Sequence, residues 1–157
     1  MRSEKGVTLL MLVITVIITL IIAGSAVYSG IETYKGMRVK TFSEQLSIVK
    51  ERVKKKKKKA KTNSELKLYT LGKPITKEEL GEELYVQSAL AISNTGGHYT
   101  NYRFFDSKDL KDDLGIEIED FIVAIDFENS KIVGVKGVEY EGHAVYSQEQ
   151  IDEINND

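Results

Sequence analysis

The sequence predicts an α+β chain: a long N-terminal helix whose outer, membrane-free half is amphipathic and carries a small C-terminal antiparallel sheet. Three observations predict it. No charged residue lies between Lys5 and Glu32, a span longer than the roughly 20 apolar residues a helix needs to cross a bilayer. Beyond that span Val39, Phe42, Leu46, Val49 and Val53 step by 3, 4, 3 and 4, an apolar stripe on one side of a helix. From residue 62 onward the pattern changes to short apolar runs separated by Gly, Asn, Asp and Ser, which reads as strands and turns.

The elements follow in order. Residues 1–6, MRSEKG, form a short charged leader, and residues 7–31 form a transmembrane or assembly helix without proline. Its many β-branched residues are tolerated because lipid offers the backbone no alternative hydrogen-bonding partner. Residues 32–61 continue as an amphipathic helix, with Lys40, Glu44, Lys50, Glu51 and Arg52 on the solvated side and a lysine-rich end. Lysine forms helices well and suits a helix C-terminus, although like charges one turn apart weaken the last turns. TNSE at 62–65 is expected to end the helix.

Residues 62–157 are expected to form a small head. Thr76 and Glu79 form a capping-box pattern ahead of a short acidic helix in ITKEELGEEL. NTGG at 94–97 reads as a turn and HYTNYRFF as an aromatic strand, with Tyr99, Tyr102, Phe104 and Phe105 as core and sheet surface. DSKDLKDDLG has Asp106 or Ser107 as N-cap and Gly115 just past the helix end. DFIVAIDF, KIVGVKG, VEYEG and HAVYS follow as closely spaced strands with turns at ENS and Gly142, and SQEQIDEI closes as a capped helical turn. Such a sheet, with one wet face, needs an apolar cover on the other. The stripe from Val39 to Val53 supplies it.

Charge is split along the chain. Residues 1–61 carry 14 Lys/Arg against 4 Asp/Glu, and residues 62–157 carry 8 against 20, for a net charge of -2. The halves are thus electrostatically complementary, within one chain or between chains. There are no cysteines and two histidines, His98 and His143, far apart and in no metal-ligand spacing. Asp126 and Glu128 alternate along a strand but lack the glycine and third carboxylate of a calcium loop. No nucleophile elbow or phosphate loop occurs. Neither an enzyme, a metal site nor a cofactor is expected.

The stretch KGVTLL at 5–10, running into an uninterrupted apolar helix, resembles the N-terminal signature of type IV pilins and the pilin-like subunits (pseudopilins) of secretion and DNA-uptake machines. Its wording is most similar to pilin-like proteins of Gram-positive anaerobes. The resemblance implies cleavage by a membrane prepilin peptidase after Gly6, with Val7 as the first mature and N-methylated residue. It implies a pilin-like layout of sheet on helix, and as partners other pilin-like subunits, the prepilin peptidase and an inner assembly platform. It implies a single-pass chain of the cell membrane with the head outside the cytoplasm, in a filament in some cases. One position departs from the family pattern: the fifth mature residue, usually Glu and held to pair with a neighbouring subunit's terminal amine, is Met11 here. A few family members that lack this Glu are thought to sit at the filament tip, so Met11 departs from ordinary incorporation along a filament and leaves open a tip or minor subunit, or a protein that stays in the membrane.

Two other anchors fit the same residues. An ordinary signal peptide would place its apolar core at 7–22 and its cleavage at GSA, 24–26. A plain single span is the other, and the cations after the span, Lys35, Arg38 and Lys40 against Arg2 and Lys5 before it, would by charge place the head on the cytoplasmic side. The cationic residues Arg52, Lys54, Lys55, Lys56, Lys57, Lys58, Lys59 and Lys61 have four readings: a solvated helix end, a dock for a neighbouring acidic head, a contact with DNA backbone, or one with anionic lipid or cell-wall polymer. No aromatic residue interrupts the run, which argues against base stacking. The rival to the filament subunit is therefore a membrane-tethered or secreted polyanion-binding module.

Overall fold

In the computed structural model the described residues are 3–62 and 67–156, with side chains described from Leu9 onward except residue 10. The helix end expected at TNSE falls largely outside them. The chain divides into two units after Met37. Helix α1, Ser3–Thr62, is assigned as one helix through both, as its unbroken pattern without proline requires. It begins inside the expected leader rather than at residue 7.

In the first unit the described large apolar side chains from Leu9 to Met37 are exposed, Met11, Leu20 and Tyr28 among them. One helix near the N-terminus is thus long and apolar enough to cross a membrane, and none of its apolar window is buried within the chain.

The second unit begins at Arg38 and is α+β. Four strands, β1 (Lys73–Pro74), β2 (Arg103–Phe105), β3 (Val123–Asp126) and β4 (Lys131–Gly134), form an antiparallel sheet in chain order. Arg103 pairs with Ile125 and Val123 with Gly134. The short β1 was not foreseen. It holds the chain's single proline on an edge strand, where a missing N–H breaks no ladder. A separate hairpin, β5 (Val138–Tyr140) and β6 (His143–Val145), forms a second sheet. The expected single sheet is therefore two, because Gly137, at φ +62°, turns the chain away after β4.

Alternation along the strands sorts the core. Phe105, Val123, Ile125 and Ile132 join Val39, Phe42, Leu46, Val49 and Val53 of α1 in one cluster. Phe104, Ala124 and Val133 point the other way, into a second cluster with Ala91 and Ile92. Those two belong to α2, Lys77–Asn94. Both faces of the sheet are covered, which corrects the expectation of one wet face. The acidic start ITKEELGEEL had concealed the apolar second half of α2, which buries Ser88, Ala91 and Ile92. Inside the acidic start, Gly81 at φ +74° breaks the helical path.

Helix α3, Ser107–Leu114, is headed by a reciprocal capping box between Asp106 and Asp109 and ended by Gly115 in the left-handed conformation. Its Leu110 and Leu114 join the α1 side of the core. Helix α4, Gln148–Asn156, adds Ile151 to that side. HYTNYRFF is only partly extended: Tyr99–Asn101 is a 3-10 turn and the strand begins at Arg103.

The helix and sheet approach most closely at Gly134, where an added Cβ would overlap the ring of Phe42. Gly134→Ala should therefore destabilise the unit that begins at Arg38 by about 1–3 kcal/mol, the cost of overpacking a full core. Phe42→Leu in the same background should recover part of that loss. Denaturant titration of the two single variants and the double variant measures the coupling, and simple additivity would place the close approach elsewhere.

Candidate functional site

Two regions carry the candidate residues, the start of α1 and its lysine-rich end. Gly6 and Val7 lie in the helical backbone of α1, and their surroundings fall outside the described side chains. Met11 is exposed, with 68% of its surface accessible. Among the described hydroxyl groups of this segment, Thr15 donates to the Met11 carbonyl and Thr19 to that of Thr15, both at 2.8 Å. Ser25 donates to Ile22 and Thr33 to Ser29, both at 2.9 Å. These four hydroxyls thus satisfy themselves one turn back on their own helix, the pairing that a low-dielectric surrounding favours.

At the other end the lysine run is divided by the helical repeat. Val53 faces the sheet and is fully buried. Residues 56, 57 and 60 lie one and two turns further along that side and are half-buried. Lys57 is the member that docks. Its ammonium donates to the Glu128 carbonyl at 2.8 Å and to Ser130 Oγ at 3.0 Å. The receiving turn is fixed from inside by Asp126, whose carboxylate accepts from the Glu128 and Asn129 N–H groups at 2.9 and 3.2 Å and from the Asn129 amide at 2.7 Å. Glu128 therefore sits in the turn, exposed, and does not share a strand face with the buried Asp126 as the sequence suggested. An Asx turn competes successfully with strand geometry here.

Arg52, Lys54, Lys55, Lys58, Lys59 and Lys61 are exposed. Among the described residues none of them has an acidic partner. Lys50, one turn before the run, reaches Glu149 of α4 at 3.3 Å. Burial pushes the Glu149 carboxyl up, but a backbone hydrogen bond and the Lys50 charge outweigh it and hold it below the ordinary range. A groove of about 410 Å³ opens beside this pair, between α1 and α4, lined by Ser43, Ser47, Lys54 and Gln148 among others.

Other titratable groups serve the fold. The Asp106 carboxylate, 2.7 Å from Lys73, raises the Lys73 ammonium above its usual range. Burial pushes the Asp106 carboxyl up, yet the Lys73 and backbone hydrogen bonds prevail and lower it. Desolvation lowers Arg103, whose guanidinium donates to the Leu71 and Gly72 carbonyls. His98 stacks on Tyr99 and contacts Thr100, while His143 contacts the Glu141 carbonyl. The structure does not bring the two together. Tyr102, Phe104 and Phe105 are buried and Tyr99 is partly exposed. Among the described residues no group of three His, Asp or Glu is placed to hold a metal ion.

Set against protein-family models, curated proteins and solved structures, the chain matches none of them.

The division of the run is measurable. Lys57→Ala should lower stability by about 1–3 kcal/mol, the net value of two intramolecular hydrogen bonds. Lys58→Ala and Lys59→Ala should stay within about 0.5 kcal/mol of wild type, as surface substitutions do. Thermal melts of the three variants check this, and equal effects would refute the docking of Lys57.

Proposed function

We propose that this chain is a pilin-like structural subunit, a minor pilin or pseudopilin, of a type IV pilus, a type II secretion-like system or a DNA-uptake filament. The observation that carries the reading is Lys5-Gly6-Val7-Thr8-Leu9-Leu10 placed directly ahead of an uncharged helix. Three features support it. The apolar segment finds no cover within its own chain. The hydroxyls of Thr15, Thr19, Ser25 and Thr33 are satisfied within the helix. The helix then continues, by the same chain, into the stripe that closes the core of the head. In this reading the precursor is held in the cell membrane with its head outside the cytoplasm, a prepilin peptidase cuts after Gly6, and Val7 is methylated. The apolar helix then exchanges lipid for the helices of neighbouring subunits on an inner assembly platform. Anchor first and assembly surface second, one apolar face serves both.

The exposed lysines favour a second reading, a membrane-tethered module that holds DNA backbone or an anionic cell-wall polymer by charge alone. Intact mass of the mature protein separates the two. Loss of residues 1–6 with gain of one methyl group is expected for the filament subunit, while cutting near Ala26 or no cutting at all rejects it. Gly6→Leu should leave full-length precursor in the membrane fraction, because a bulky side chain does not fit where the peptidase accepts a small one. Normal trimming of that variant would sink the assignment.

Met11 bears on position. A Glu here costs roughly 2.5–3.5 kcal/mol near a bilayer centre, less toward the interface, and only a neighbour's amine ahead of it offsets that. Met11→Glu should be neutral or harmful for a tip subunit and should improve incorporation of a weakly held shaft subunit. Immunogold labelling of the native protein at one filament end agrees with the tip, and label along the shaft refutes it.

A further inference from the structure

The three-layer head presents charge of opposite sign on its two outer helices. On the α1 side, a helix advances roughly 100° per residue, and this sets Arg52, Lys54, Lys55, Lys58, Lys59 and Lys61 around the roughly 180° of α1 that turns away from buried Val53. The sheet-facing members, Lys56 and Lys57, are half-buried and Lys57 is taken up by its own head. On the opposite side of the sheet lies α2, held there by Ala91 and Ile92. Its first turns carry Glu78, Glu79, Glu82 and Glu83, all exposed. Lys77 is the one cation among them and reaches Glu82 at 3.2 Å.

We propose that the outward arc of lysines on α1 receives the acidic start of α2 from a second copy of this chain. Two surfaces on opposite layers of one domain make a head-to-tail contact, which repeats from copy to copy and, where the rotation between copies does not close a ring, extends without end. That is the geometry of an open filament, and the inference rests on the filament-subunit reading for the membrane that holds the copies side by side. The charge ledger favours a copy over a polyanion: 14 Lys/Arg against 4 Asp/Glu before residue 62 is nearly balanced by 8 against 20 after it. A head-to-tail row places each acidic face on a basic one. A polyphosphate lying on the same arc would neutralise the lysines but leave the acidic face of every head without a partner.

The test uses full-length protein in detergent micelles, as an equal mixture of unlabelled and 15N-labelled chains, treated with a zero-length carbodiimide cross-linker. Peptides joining Lys54, Lys55 or Lys58 to Glu78, Glu79 or Glu82 with mixed isotope labels are expected at low salt, with at least a tenfold loss at 1 M salt. Lys54→Glu with Lys55→Glu and Lys58→Glu should lower their yield at least tenfold. Mixing that variant with a Glu78→Lys, Glu79→Lys, Glu82→Lys variant should restore joined peptides between the reversed residues. Cross-links confined to one isotope, or mixed cross-links mapping to other surfaces, overturn the proposal. Retention of a double-stranded DNA probe by the wild type, lost in the lysine variant while no mixed cross-links form, overturns it in favour of a polyanion. Processing at Gly6 does not involve either surface, so normal trimming with failed cross-linking rejects this contact alone, whereas absent trimming rejects the filament subunit.

Discussion

The head depends on one helix acting as the cover of a sheet too small to stand alone. Its four strands are two to four residues long, and strands of that length gain stability only by packing against something else. Val39, Phe42, Leu46, Val49 and Val53 provide that packing, each worth on the order of 1.5–3 kcal/mol when fully buried. Leu110 and Leu114 of α3, Ile151 of α4 and Val145 of the hairpin reach the same cluster. Gly134 belongs to this constraint, because the Phe42 ring occupies the space a side chain would need.

The two units solve the same polar problem by opposite means. In the apolar unit, the hydroxyls of Thr15, Thr19 and Ser25 fold back on carbonyls of their own helix, which leaves hydrocarbon as most of the surface around them. In the head, ionic groups tie elements that are distant in sequence. Lys50 reaches Glu149, Lys57 reaches the β3–β4 turn, and Lys73 joins β1 to the start of α3. These contacts are partly exposed and individually modest. Their role is to fix which turn lies on which helix.

The separation of charge is a consequence of layering. A helix that covers a sheet has one apolar side and one free side, and α1 and α2 occupy opposite layers. Their free sides therefore face opposite directions, with lysines on the end of α1 and carboxylates on the first turns of α2.

By itself the sequence determined the long helix, the five residues of its buried stripe, the cap and stop of α3, and the strands from β3 to β6. These are local decisions, set by periodicity, by a side chain three residues from an N–H, or by a glycine at positive φ. The fold class follows from them. The candidate anchor motif was legible in six residues. What only the tertiary structure decided depends on partners far along the chain. Pro74 becomes a strand because Arg103 lies beside it. The second half of α2 is buried because Ala124 and Val133 point away from α1. Among the consecutive lysines of the run, Lys57 alone is bound to the head among the described residues, because a helix turning under a sheet brings one side chain in three or four to the interface. Identical residues in a row carry no signal for that choice, and only the packing of the helix supplies it.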